Sequence, residues 1–208
     1  MPCNHKFKKH LNLTHLDFEP TTLIVGTFIP EWPDGTTGEW FYGNIANNNF
    51  WNVLPRLYGA PSLINATPAD WKQFCHDNRI AITDIISTID DADPDDPKQI
   101  KILAGFADDA LAYNFEDFVY VNIVQILRQH PTIKNVYLTR GVTESFWRHL
   151  WNPVMHYCHL NNIRERKLLT PSINASVPQE VYNGQNPGGQ IPLLEDYILM
   201  KWKQEWHL

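Results

Sequence analysis

Four short runs of apolar residues predict β-strands, and each run ends at a small or polar residue. The runs cover residues 22–25, 80–86, 136–139 and 167–170. They are rich in Val, Ile, Leu and Thr, and runs of this length and composition are typical of buried strands. Because segments with helical spacing separate them, the alternation predicts a three-layer α/β/α fold with a central, mostly parallel four-stranded sheet.

Segments in which apolar residues recur every three or four positions predict the helices that cover this sheet. The apolar residues of the segment at 118–127 also fit a strand, and a helix is the interpretation preferred here. The predicted helices cover residues 49–59, 68–78, 98–112, 118–127, 142–160 and 193–206.

The loop that follows the first predicted strand carries most of the candidate chemistry. It spans residues 27–49, follows Gly26, and holds five aromatic residues together with Asn44, Asn47 and Asn48. Ligands of open α/β sheets bind at the carboxyl ends of the strands. Flat aromatic faces beside amide donors and acceptors are what a pocket needs to hold and read a nucleobase. The alternative stays open that the aromatic residues belong to the core and the asparagines serve turns and caps.

Two other strand ends carry polar residues that could contribute to the same site. Asp84 lies near the end of the second strand, and Ser172 follows Pro171 after the fourth. A turn fixed by proline can present a serine hydroxyl and amide to a phosphate oxygen. Each residue also has an ordinary interpretation, since aspartate commonly caps helices and serine commonly occupies turns.

Composition and charge limit the class of protein but do not identify its function. The 208 residues are 43% hydrophobic and 19% charged, as in globular proteins, and we expect one domain over residues 1–208. The net charge of −6 includes five aspartates at 90–96, so the remainder is near neutral and neither requires nor excludes a nucleic-acid partner. Three widely spaced cysteines, no membrane-length apolar stretch and no secretory signal predict a cytoplasmic protein.

Several common catalytic motifs are missing from the sequence. It has no glycine-rich dinucleotide or phosphate loop and no serine nucleophile elbow. The densest group of metal-ligating residue types, at 156–159, has neither a Cys-x₂-Cys pair nor a His-Glu-x-x-His pattern. We therefore expect neither a metal nor a cofactor.

Short motifs, in order along residues 22–175, resemble those of the uracil-DNA glycosylase superfamily, and are most similar to its hypoxanthine-DNA glycosylase-like branch. The resemblance implies the three-layer fold predicted above. It also implies hydrolysis of the N-glycosidic bond of a deaminated base (uracil, hypoxanthine or xanthine) flipped out of DNA. The motifs are LIVGTF at 23–28, FYGN at 41–44, Asn47/Asn48 before Phe50-Trp51, IAITDII at 80–86, NVYLTRG at 135–141 and LTPS at 169–172.

The resemblance further implies a role for each candidate residue. The catalytic amide is Asn47 or Asn48, and the choice stays open because this stretch departs from the branch's His-Pro-Arg-Asn string. Ser172 would hold a flanking phosphate, while Ile173 and Asn174 would fill the gap left in the duplex. The implied partner is DNA containing a damaged base, without membrane association and with the chain as a monomer. The implied base-binding residues are Gly26, Thr27, Phe28, Phe41, Tyr42, Asn44 and Asp84.

Two other functions remain open from the sequence. One is a catalytically inactive nucleic-acid or nucleotide-binding module, which a pocket filled by Trp32 or Trp40 would favour. The other is an enzyme that cleaves free nucleosides, which would need no basic groove at the mouth of its pocket.

Overall fold

A computed structural model of the chain describes residues 1–33, 38–106, 108–173, 175, 178 and 193–207. The seven strands are β1 (Cys3–Asn4), β2 (Thr22–Gly26), β3 (Ile80–Asp84), β4 (Ile86–Ile89), β5 (Phe118–Tyr120), β6 (Asn135–Leu138) and β7 (Arg164–Lys167). The seven α-helices are α1 (Phe50–Leu57), α2 (Pro68–Asp77), α3 (Pro97–Ala104), α4 (Asp108–Asn114), α5 (Ile123–Gln129), α6 (Ser145–Leu160) and α7 (Leu194–Glu205). A short 3₁₀ helix covers Lys8–His10. These counts refer to the ranges just given.

The central sheet has four parallel strands in the order β3-β2-β6-β7, and helices flank it. All five residues of β2 and of β3 are buried, because each of these strands packs beneath other elements on both faces. Their register pairs Gly26 with Asp84, so two predicted site residues lie side by side at the carboxyl edge. The predicted three-layer α/β fold is therefore confirmed.

A second sheet, with the antiparallel order β1-β4-β5, was not predicted. The apolar run at 80–86 reads as one strand, but the chain leaves the parallel sheet after Asp84 and enters β4 at Ile86. The backbone N–H groups of Ile85 and Ile86 donate to the carbonyls of Gly26 and Thr27. The prediction of a single strand over 80–86 is wrong, because no turn residue in the sequence marks this change of sheet.

Other boundaries also differ from the predictions. The preferred helix over 118–127 is wrong, because β5 comes first and the Asn122 side chain then caps α5 by accepting from the N–H of Gln125. The fourth strand lies at Arg164–Lys167 rather than 167–170. This strand lies at the edge of the sheet, where charged side chains reach solvent. Its sequence is therefore polar and lacks the apolar run from which strands were predicted.

The helices agree better with the sequence pattern. The helix predicted over 68–78 is present, with a capping box between Thr67 and Asp70 and proline in its first turn. The predicted helix over 98–112 is two helices, separated by a turn in which Phe106 has a left-handed backbone. The helix predicted at 142–160 begins at Ser145 and continues through Pro153.

Aromatic side chains build much of the core on one side of the sheet. Trp51 and Trp71 stack with their ring centroids 5.6 Å apart, and both are buried. The indole N–H of Trp71 donates to the carbonyl of Leu63. Gly43 lies directly over the Trp71 ring, so the loop that carries the candidate asparagines is held against this core. No helix in the described ranges is both long and apolar enough to cross a membrane.

Replacing Gly43 by alanine should destabilise the fold, because the added Cβ would overlap the Trp71 ring. We expect the free energy of unfolding to fall by about 1–3 kcal/mol, as for an overpacked core. The matched control is Gly141→Ala, where the new Cβ would meet no atom within 4 Å and the change should stay within about 0.5 kcal/mol. Urea denaturation measures both, and equal effects would contradict the close packing of Gly43 on Trp71.

Candidate active site

A cavity of about 200 Å³ lies at the carboxyl edge of the parallel sheet. Its floor comes from residues at the strand ends: Thr27 after β2, Asp84 of β3 and Thr139 after β6. The loop before α1 forms one wall together with the turn at 170–173, and the turn between α3 and α4 forms the opposite wall. This is the edge at which open α/β sheets bind their ligands.

Backbone pairing joins two predicted motifs that lie more than a hundred residues apart. Asn48 and Ser172 form an antiparallel β-bridge. The N–H of Asn49 donates to the Pro171 carbonyl over 2.7 Å, and the N–H of Ile173 donates to the Asn47 carbonyl over 3.1 Å. The asparagine loop and the Pro-Ser turn therefore form one continuous wall of the cavity.

The structure brings most of the predicted site residues to this cavity, but not all of them. Phe41 lies elsewhere, fully buried with its ring against those of Phe7 and Trp40. Asn44 is exposed and lines a shallower depression outside the cavity. Asn174 lies outside the described residues. The predicted residues that do line the cavity are Thr27, Phe28, Tyr42, Asn47, Asn48, Asp84, Ser172 and Ile173.

The two candidate catalytic asparagines have different surroundings. The Asn48 side-chain oxygen accepts from the N–H of Phe50 over 2.9 Å, so this residue helps to start α1. Asn47 has a left-handed backbone with φ of 59° and an exposed side chain. Within the described ranges, the Asn47 amide makes no hydrogen bond. Asn47 is therefore the one of the two whose whole amide is available to a ligand.

Tyr42 is fixed on both its ring and its hydroxyl group. The ring stacks on Phe50 with centroids 4.0 Å apart and planes 10° from parallel. The hydroxyl group lies 2.9 Å from the Thr139 hydroxyl oxygen. Burial, with the nearby charge of Asp84, raises the pKa of Tyr42 well above its ordinary value. The phenol therefore stays protonated and presents a rigid polar group at the cavity floor.

Asp84 forms a buried pair with His5, a residue that the sequence analysis missed. The Nε2 atom of His5 lies 2.7 Å from Oδ2 of Asp84, and both side chains are almost fully buried. The Nδ1 atom of His5 accepts from the backbone N–H of Phe7 over 2.9 Å. Nothing in the segment before β2 indicated this role, because the pairing depends on the unpredicted second sheet.

Gly26 makes the approach of these groups possible. A Cβ added at this position would overlap both the Tyr42 hydroxyl group and the Asp84 carboxylate. Glycine at the end of β2 is thus needed for space, because its φ is not in the left-handed region. The sequence analysis expected close backbone approach to a ligand here, and the structure shows close approach of two side chains that face the cavity.

A second carboxyl group, from Asp108, lies on the opposite wall and was also missed by the sequence analysis. The Thr27 hydroxyl group donates to Oδ2 of Asp108 over 2.5 Å. Burial raises the pKa of Asp108 to about 6, although the Thr27 hydrogen bond and Arg140 oppose this shift. Arg140 also pairs with Asp109 and Glu144 and stacks on the Trp147 ring, so its charge is shared among several partners.

The described residues contain no group of three or more His, Cys, Asp or Glu side chains placed to hold a metal ion. The histidine and cysteine cluster at 156–159 lies on α6, away from the cavity.

Comparison with known proteins places the fold but identifies no close relative. No protein-family model matches the chain. No curated protein matches it either. Among solved structures, the chain is similar to the solution NMR structure of a protein named "putative Uracil DNA glycosylase" from Methanosarcina acetivorans, with a TM-score of 0.52 and 12% identity over 92% of this chain and 94% of that one. At this identity the likeness concerns the fold, which is therefore uracil-DNA-glycosylase-like.

The pKa of Asp108 predicts how this carboxyl group affects stability across pH. Because its pKa of about 6 lies above the ordinary value of 3.8, the folded chain binds the proton more tightly than the unfolded chain. This contribution to stability is complete below about pH 4 and is lost as the pH rises through about 6. As the pH is raised from below about 4 to above about 6, we expect the melting temperature of Asp108→Asn to rise relative to that of the original protein. Calorimetry measures the difference, and a difference that does not change with pH would contradict the assignment.

Proposed function

We propose that this chain is a DNA glycosylase that hydrolyses the N-glycosidic bond of a deaminated base flipped out of DNA. The observation that carries the proposal is a cavity lined by Asn47, whose amide makes no hydrogen bond to a described residue, together with the Pro171-Ser172 turn, Tyr42 and Asp84. The uracil-DNA-glycosylase-like fold supports the same class of reaction. Its specific branch and its base remain predictions.

The polar groups of the cavity suit the charges that develop in this reaction. Loss of a base leaves positive charge on the sugar, as in glycoside hydrolysis, and negative charge on the departing base. Two carboxylates, from Asp84 at the floor and Asp108 on one wall, favour the positively charged sugar. The Asn47 amide can donate to the departing base or hold the attacking water. His5 holds Asp84 and Thr27 holds Asp108 before a substrate enters, which is the condition for effective electrostatic stabilisation by these carboxylates.

Entry of a base requires that DNA be held with one nucleotide rotated out of the stack. The turn at 171–173 lines the cavity and pairs with the Asn47–Asn49 backbone. In the proposed complex, Ser172 contacts the phosphate beside the flipped nucleotide. Ile173, next to it, enters the space that the base has left.

The alternatives from the sequence analysis differ in the support they receive. Neither Trp32 nor Trp40 lines the cavity, so the feature that would favour a module limited to binding is missing from its described lining. The described lining also contains no lysine or arginine, which favours hydrolysis of free nucleosides as a second candidate function. The two enzymatic proposals share the cavity chemistry and differ in whether DNA is needed.

A nicking assay tests the proposal directly. Single- and double-stranded oligonucleotides that carry uracil, hypoxanthine or xanthine are incubated with the protein and then cleaved by alkali at abasic sites. We expect cleavage of at least one of these lesions, and a loss of about 10²–10³-fold in Asn47→Ala, as when one preorganised amide donor is removed. Asn48→Ala should instead lose about 0.5–1.5 kcal/mol of stability, because the Asn48 side-chain oxygen accepts from the Phe50 N–H at the start of α1.

The matched control is Asn152→Ala, an exposed position on α6 that should leave the rate unchanged. Base release from free nucleosides without any cleavage of DNA would support the second candidate function. Inertness toward both kinds of substrate would overturn catalysis altogether. An unchanged rate in Asn47→Ala would remove only the assignment of this amide.

A further inference from the structure

A second hollow, of about 360 Å³, lies beside the cavity and shares a wall with it. Tyr42 and the segment at 45–48 line both spaces, and Ile64 and Asn65 line only the second one, from the loop before α2. We call this second hollow the asparagine depression. Because the two spaces adjoin, a substrate with one group in the cavity brings the neighbouring group to the asparagine depression.

Several amides without a partner lie together in the asparagine depression. The side chains of Asn47, Asn49 and Asn65 line it and make no hydrogen bond to any described residue. Asn47 and Asn65 are exposed, so solvent reaches their side chains. Ile64 is 37% exposed and adds an apolar surface, and the described lining holds no charged side chain. A ligand here therefore meets amide donors, amide acceptors and an apolar surface, but no charge.

Hydrogen bonds hold both of the loops that carry these amides. The N–H of Leu63 donates to the Trp51 carbonyl over 2.8 Å, and the Leu63 carbonyl accepts from the indole N–H of Trp71 over 2.8 Å. In the other loop, the N–H of Asn49 donates to the Pro171 carbonyl over 2.7 Å. The backbone of the asparagine depression is therefore formed before a ligand binds, which lowers the entropic cost of binding.

A nucleobase suits these surroundings better than a phosphate group does. The edge of a base presents hydrogen-bond donors and acceptors close together, and asparagine amides pair with such edges. The face of a base is apolar and can lie against Ile64. A phosphate group would use only the donors of the amides and would find no cation in the described lining to offset its charge.

We propose that the asparagine depression binds the base of the nucleotide next to the flipped one, and that the preferred substrate is single-stranded DNA. This inference rests on the proposed glycosylase function and names the form of DNA that the site accepts. In a duplex the neighbouring base is stacked and paired, so its edge is not available to the amides. In a single strand, the neighbouring base can leave the stack and expose its edge.

A double-mutant cycle between protein and substrate tests this contact. The probes are single-stranded oligonucleotides with the lesion that the protein cleaves best, in which the adjacent base on the 5′ or the 3′ side is present or is replaced by an alkali-stable tetrahydrofuran residue. We expect Asn65→Ala to lower kcat/KM about two- to tenfold on the intact strand, as for one lost neutral hydrogen bond. On the strand that lacks the bound base, the same substitution should have no effect, because the contact is already missing.

Two controls separate this contact from a general loss of function. Asn152→Ala, at an exposed position outside the described lining of both spaces, should leave kcat/KM unchanged on every strand. The value of kcat at saturating substrate should stay unchanged in Asn65→Ala, because a contact away from the reacting bond contributes equally to the bound substrate and the transition state. Duplex substrate should be cleaved with a lower kcat/KM than the single strand, and Asn65→Ala should not lower it further.

The outcomes distinguish this inference from the proposed function. Lesion cleavage in which Asn65→Ala has the same effect with and without the adjacent base, on both sides of the lesion, would overturn the inference and leave the glycosylase proposal standing. Cleavage of duplex DNA at least as efficient as that of single strands would do the same. Failure of the original protein to cleave any lesion in either form of DNA would overturn the proposed function and this inference with it.

Discussion

The candidate site depends on one steric constraint, the absence of a side chain at Gly26. The Tyr42 hydroxyl group and the Asp84 carboxylate approach each other over this residue, at a point where any Cβ would overlap both. Gly26 ends β2 and pairs with Asp84 across the parallel sheet, so the register of the sheet places the carboxylate beside Gly26. The Tyr42 hydroxyl group comes from the loop before α1, where Tyr42 has a left-handed backbone.

The buried pair of His5 and Asp84 ties the two sheets to the same site. His5 follows β1 of the antiparallel sheet, and its backbone N–H donates to the carbonyl of Ser87 in β4. Breaking a buried pair by removing one partner typically costs about 3–5 kcal/mol, whereas apolar replacement of both partners is often neutral or stabilising. Such a pair is therefore a poor means of stabilising a fold. The pair instead fixes the Asp84 carboxylate at the cavity floor.

The sequence was informative where a signal was local. The buried strand before Gly26, the glycine itself and the capped start of α2 all have short-range signatures, and the structure has each of them. The convergence of the asparagine loop with the Pro171-Ser172 turn followed from the order of motifs in an α/β fold. His5 and Asp108 had no such signature, because His5 follows a strand that was missed and Asp108 begins a helix that was joined to its neighbour.

The loop before α1 shows why its asparagines could be interpreted in two ways. Tyr42, Asn44 and Asn47 all have a left-handed backbone, a conformation that costs energy and that asparagine tolerates better than most residues. Turn formation and ligand chemistry are therefore not competing explanations for Asn47. Asn47 has a left-handed backbone and its amide makes no hydrogen bond to the described residues, while the Asn48 amide oxygen accepts from the N–H of Phe50 at the start of the helix. The two adjacent asparagines therefore have different roles: the Asn47 amide is available to a ligand, and the Asn48 amide binds the start of the helix. Their different backbone conformations accompany this difference.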